Sequence, residues 1–161
     1  MSYVDENYEN FNKYCEDGNI TEIKLLISKI THELNWNWGL YRACDCGHME
    51  IVELMISKGA IDWNSGLQFA CIGGHMKIVN LMIAKGATDW NLGLRAACAY
   101  SHYEIAELMI SKGASDYYDD NFKKYLMCKV LATHLKKQMI CKIINHLLLP
   151  DFLKMEMYKY V

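Results

Sequence analysis

The sequence predicts an all-α chain of stacked helix pairs, and three observations carry that prediction. Laid on itself at a spacing of 27, the stretch 63–89 meets both 36–62 and 90–116 without a gap. A self-match at a fixed period of this size marks a repeat architecture. Inside each copy the apolar residues recur at helical rather than strand spacing. Glycines then fall where a helix pair must turn and where it must stop, two places that call for a left-handed backbone.

Taken in order, residues 1 to about 7 are expected to be frayed. From Phe11 a degenerate copy follows, in which Phe11, Tyr14-Cys15, Gly18, Ile20 and Ile23 answer Leu40, Ala43-Cys44, Gly47, Met49 and Val52. This stretch, 8–35, is read as an N-terminal capping repeat. Its acids Glu9, Glu16 and Asp17 suit a side that faces water. The internal repeats are 36–62, 63–89 and 90–116.

Within each internal repeat, Asn37, Asn64 or Asn91 is expected to cap the first helix. Leu40-Ala43-Cys44, Leu67-Ala70-Cys71 and Leu94-Ala97-Cys98 then form one buried stripe. The small alanines and cysteines imply close approach by a neighbouring helix. Gly47 and Gly74 supply the turn, where the third repeat has Tyr100-Ser101 instead. A left-handed Ser101 would store roughly 1 kcal/mol of strain.

The second helix is expected from about His48 to Lys58 and at its equivalents. Met49, Ile51, Val52, Leu54, Met55 and Ile56 leave only a narrow polar face, so both flanks must be covered. Gly59, Gly86 and Gly113 end it. One unit is too small to hold its shape alone, and its neighbours must supply the difference. After Asp116 the match fades. Residues 117–149 are read as a helical C-terminal cap, and 150–161, opened by Pro150, as a short terminal helix. The whole of 1–161 is thus taken as one repeat domain.

The shared pattern, Gly-Leu-x-x-Ala-Cys-x-x-Gly-His-x-x-Ile-Val-x-x-Met-Ile-x-Lys-Gly-Ala, resembles the ankyrin repeat from its first helix onward. Two departures are visible. Trp38-Gly39, Ser65-Gly66 and Leu92-Gly93 replace that family's Thr-Pro. The period is also shorter than the usual ankyrin length of about 33, and the missing residues fall where ankyrin repeats project a β-hairpin. The resemblance therefore implies an ankyrin-repeat solenoid with truncated hairpin loops, similar to the short-looped ankyrin proteins of large DNA viruses. It also implies that the histidines of the Gly-His turn hydrogen-bond between units.

Composition narrows the setting. With 52% hydrophobic and 22% charged residues the chain is too apolar for disorder. Its acidic, polar opening does not read as a signal peptide, and runs such as Leu147-Leu148-Leu149 are too short to span a membrane. Of seven cysteines, Cys44, Cys71 and Cys98 share one repeated position and read as small core residues, and the count as a whole reads as that of a reduced, cytoplasmic protein. After residue 120 there are eight lysines against Asp151 and Glu156; in residues 1–120 nine basic side chains face seventeen acidic ones. A solvated cap explains that asymmetry better than nucleic-acid binding does.

Candidate chemistry is sparse. Cys44-x-Cys46-x-His48 invites a metal, and Cys71/His75 and Cys98/His102 repeat part of it. Zinc needs four converging ligands, whereas these residues match core and turn places in the repeat, so no metal is assigned. Without a phosphate-binding glycine loop, nucleophile elbow or acid pair, the chain is read as a non-enzyme with no cofactor and no small-molecule substrate.

Equivalent positions that change character between copies carry more information. On the ankyrin pattern they line the concave, inner-helix surface, so Trp38, Tyr41, Asp45, Gln68, Ile72, Arg95 and Tyr100 are the candidate contacts for a partner protein. Leu149-Pro150-Asp151-Phe152-Leu153 resembles the opening of an F-box. That resemblance implies a second reading, an adaptor that recruits targets to a ubiquitin ligase.

Overall fold

The computed structural model describes residues 3–29 and 34–115. Among them the regular structure is entirely helical and falls into four pairs. These are α1 (Tyr3–Asp17) with α2 (Ile20–Lys29), α3 (Trp36–Cys46) with α4 (Met49–Ser57), α5 (Trp63–Gly73) with α6 (Met76–Lys85), and α7 (Trp90–Ala99) with α8 (Tyr103–Ser111). The first helices pack in series, α1 on α3, α3 on α5 and α5 on α7, while each second helix packs on the first helix of its own pair. The chain divides into two compact units, Met1–Tyr117 and Tyr118–Val161, close to where the 27-residue match ends. The expected helical cap over 117–149 and terminal helix over 150–161, with its F-box-like residues, lie outside the described residues.

Two local expectations are corrected. Of the residues thought frayed, those from Tyr3 onward belong to α1. No glycine or proline interrupts the sequence before Gly18, so nothing there breaks the helix. The helix caps also lie elsewhere. Asn35, Asp62 and Asp89 accept from the backbone N–H of Trp38, Ser65 and Leu92 at 3.0–3.1 Å. Each helix thus starts at its tryptophan, before the asparagine assigned to the cap.

Asn37, Asn64 and Asn91 do something else: they reach the loop that closes their own repeat and leads into the next pair of helices. The Asn37 side-chain oxygen accepts from the N–H groups of Ile61 and Asp62 at 2.9 and 3.1 Å. Asn64 accepts from Thr88 and Asp89 at 2.8 and 3.0 Å, and Asn91 from Ser115 at 2.8 Å. These loop amides have no helical acceptor, and a carboxamide oxygen with two lone pairs can serve both.

The opposite end of each first helix carries a second tie. Nε2 of His48 donates to the Glu16 carbonyl at 2.8 Å, that of His75 to Asp45 at 2.9 Å, and that of His102 to Ile72 at 3.0 Å. A carbonyl can only accept, so each ring carries its proton on Nε2. The expected hydrogen bond between units is present. These rings also fix the turn residue before them. A Cβ on Gly18, Gly47 or Gly74 would lie 2.4–2.6 Å from the next unit's imidazole, and all three have φ between 74° and 82°.

Packing inside each pair explains the glycine of the first helical turn. A Cβ on Gly39, Gly66 or Gly93 would fall 2.6–2.7 Å from Sδ of Met55, Met82 or Met109, and these methionines are fully buried. The stripe predicted from sequence is the core: Leu40, Ala43, Cys44, Leu67, Ala70, Cys71, Leu94, Ala97 and Cys98 are all buried. The second helices end as expected. Ala60, Ala87 and Ala114 donate to Met55, Met82 and Met109 at 3.0 Å across glycines with φ of 105–112°.

Candidate functional site

With Leu40, Ala43 and Cys44 facing inward, the i, i+3, i+4, i+7 set of Trp38, Tyr41, Arg42 and Asp45 shares the outward stripe of α3. Its counterparts on α5 are Ser65, Gln68, Phe69 and Ile72. On α7 they are Leu92, Arg95, Ala96 and Ala99, with Tyr100 just beyond. Trp38 is 39% exposed and Tyr100 58%. Arg95 is exposed, and Tyr41, Asp45, Gln68 and Ile72 are half-buried.

The structure brings part of this set together. Tyr41 stacks on Phe69 with ring centroids 5.4 Å apart and a 14° interplanar angle, and meets the edge of Trp38 at 6.1 Å. The Arg42 guanidinium lies over the Trp38 ring at 5.1 Å and pairs with Glu16 at 3.2 Å. A continuous line, Glu16–Arg42–Trp38–Tyr41–Phe69, thus crosses α1, α3 and α5. Asp45, Gln68, Ile72, Arg95 and Tyr100 stand outside it.

Tyr41 is also anchored. Its hydroxyl donates to the Asp62 carboxylate, which Ser65 Oγ joins at 2.8 Å. Partial burial and then this bond push the Tyr41 pKa up. For Asp62, burial alone would raise the pKa, but the bonds from Tyr41 and Ser65 outweigh it and hold the carboxyl below its ordinary value. Two of the seven candidates serve packing through their backbone as well: the carbonyls of Asp45 and Ile72 receive His75 and His102. Arg42, Phe69 and Glu16 were not among the candidate contacts read from sequence. Arg42 lies four residues after Trp38, a spacing that brings helical side chains together, and that signal could have found it.

The suspected metal ligands are employed otherwise. Cys15, Cys44 and Cys71 are buried, and burial pushes each thiol up to about 12. Cys46 is exposed at the end of α3; its pKa is raised by partial burial, then by Asp45, Glu16 and Asp17, with Arg42 opposing. Among the described residues no three His, Cys, Asp or Glu side chains converge as a metal site would require. No described helix is long and apolar enough to cross a membrane.

No protein-family model matches this chain, and a search of curated proteins finds no match.

Proposed function

We propose that this chain is a non-enzymatic protein-binding module of the ankyrin-repeat kind, gripping a partner protein with the outward stripe of its first helices. One observation carries the reading. Positions that recur between copies are spent on core and inter-unit bonds, whereas positions that diverge, Trp38/Ser65/Leu92 and Tyr41/Gln68/Arg95 among them, lie on the outward stripe. The Asn and His ties hold both ends of each first helix, so these side chains are presented from a stiff support and little order is lost on binding. Free cysteines among the described residues support a reducing, intracellular setting.

The test is proximity labelling or pull-down with the full chain and its Trp38→Ala, Arg95→Ala and Tyr100→Ala variants, their helicity checked by circular dichroism. Loss of the same partner in at least one folded variant is the expected result. Retention of every partner by all three would place the contact surface elsewhere.

A further inference from the structure

The geometry points to a two-part docking surface on α1, α3 and α5 that fits a segment carrying a basic side chain about three positions from an apolar anchor. This inference rests on the proposed binding role and specifies the partner's chemistry. The apolar half is the exposed Trp38 with Tyr41 and Phe69 stacked behind it. Trp38 has only Ser65 and Leu92 at the equivalent positions, so repeat packing does not demand an indole there.

The acidic half lies toward the other end of α3. Asp45 sits in its last turn, and Glu16 and Asp17 end the neighbouring α1. Glu16 and Asp17 are exposed and Asp45 is half-buried, with Arg42 the basic side chain paired among them. The His48 ring, two residues beyond α3, bonds the Glu16 carbonyl at 2.8 Å and so holds the ends of α1 and α3 side by side. The C-termini of α1 and α3 add partial negative charge of their own. Arg42 already shows the chemistry this surface accepts: a guanidinium over the Trp38 ring whose charge is met by Glu16.

Spacing adds a second constraint. Trp38 and Asp45 are seven residues apart on one face, about 10 Å along the helix. An extended partner would span that in about three steps, so its basic side chain falls about three positions from its apolar one. Charge decides the sign of the partner: a lysine or arginine is drawn to the carboxylates, while an acidic residue there is repelled.

The experiment is selection of a random 12-residue peptide library on the full-length protein, followed by titration of the enriched peptides. Two variants are compared with the wild type: Trp38→Ala, and the triple Glu16→Gln/Asp17→Asn/Asp45→Asn. The triple change keeps the backbone carbonyls that receive His48 and His75. Enriched peptides should carry Lys or Arg near an apolar residue, bind the triple variant about tenfold more weakly, and weaken in high salt. Enrichment without basic residues, or unchanged binding to the triple variant, overturns the inference; loss to Trp38→Ala alone would still leave the binding role standing. Binding indifferent to Trp38→Ala, Arg95→Ala and Tyr100→Ala overturns both. A library with no binder also counts against the two-part surface.

Discussion

The turn after α5 and the turn after α7 occupy the same place in the repeat and are built differently. After α5 the chain passes through Gly74, at φ 76°, beneath the imidazole of His102. After α7 it passes through Ser101 at φ 63°, in the left-handed region that favours glycine. Serine could not stand at Gly74, because its Cβ would lie 2.4 Å from the next ring. The first pair shows the reverse. Gly18 receives His48, but the place of the histidine is taken by Asn19, which caps α2 through the Glu22 N–H and has no earlier described pair to reach. Where an imidazole is laid on it, a turn residue is therefore fixed by the neighbouring unit.

The cysteines sharpen this contrast most strongly. Cys15, Cys44 and Cys71 recur beneath neighbouring helices, while Cys46 stands at a diverging turn position. The three buried thiols titrate near 12 in the fold, against an ordinary value of 9.0. A raised folded pKa contributes its full stability below the unfolded value and loses it as pH climbs toward the folded one. Stability should therefore be flat in these groups up to about pH 9. From there toward 12 it should fall by about 1.4 kcal/mol per thiol per pH unit. Urea midpoints at pH 7, 9 and 10 would check this, and Cys44→Ala and Cys71→Ala should each flatten the alkaline slope. At neutral pH a thiol reagent should modify Cys46 well before Cys15, Cys44 or Cys71.

At the turn itself, Gly74→Ala should cost about 2–3 kcal/mol, combining left-handed strain with displacement of the His102 ring and its bond. Urea unfolding would measure it, with Gly47→Ala expected to behave alike. At the far end of the same helix, Asn64→Ala should cost about 1–2 kcal/mol, because the Thr88 and Asp89 amides lose their common acceptor. The smallest change runs the other way. Ser101→Gly should gain about 1 kcal/mol by removing the left-handed strain. A Ser101→Gly variant no more stable than the parent would break the comparison.

Much of the fold was legible because packing repeats. The buried stripe through Leu40, Ala43 and Cys44 and the left-handed glycines follow from residue types recurring at one spacing, whereas the His ties were what the family resemblance implied. The asparagines were harder to read. A carboxamide two residues from a helix start can cap that helix or reach a neighbouring loop, and both uses need the same acceptor. The candidate surface was legible as a set of diverging positions but not as an arrangement. Only folding placed Phe69 beneath Tyr41 and Glu16 against Arg42, since these pairs join different units.

By itself, then, the sequence determined the all-helical character of the repeats, the length of the unit, its core and the sites of its turns. These depend on periodicity and on the allowed backbone of single residues, which local chemistry dictates. Tertiary structure alone decided which amides the asparagines serve, why a glycine must face Met55, Met82 or Met109, and which diverging side chains meet in one line. Those outcomes depend on distances between residues far apart in the chain, and distances of that kind exist only once the helices have packed.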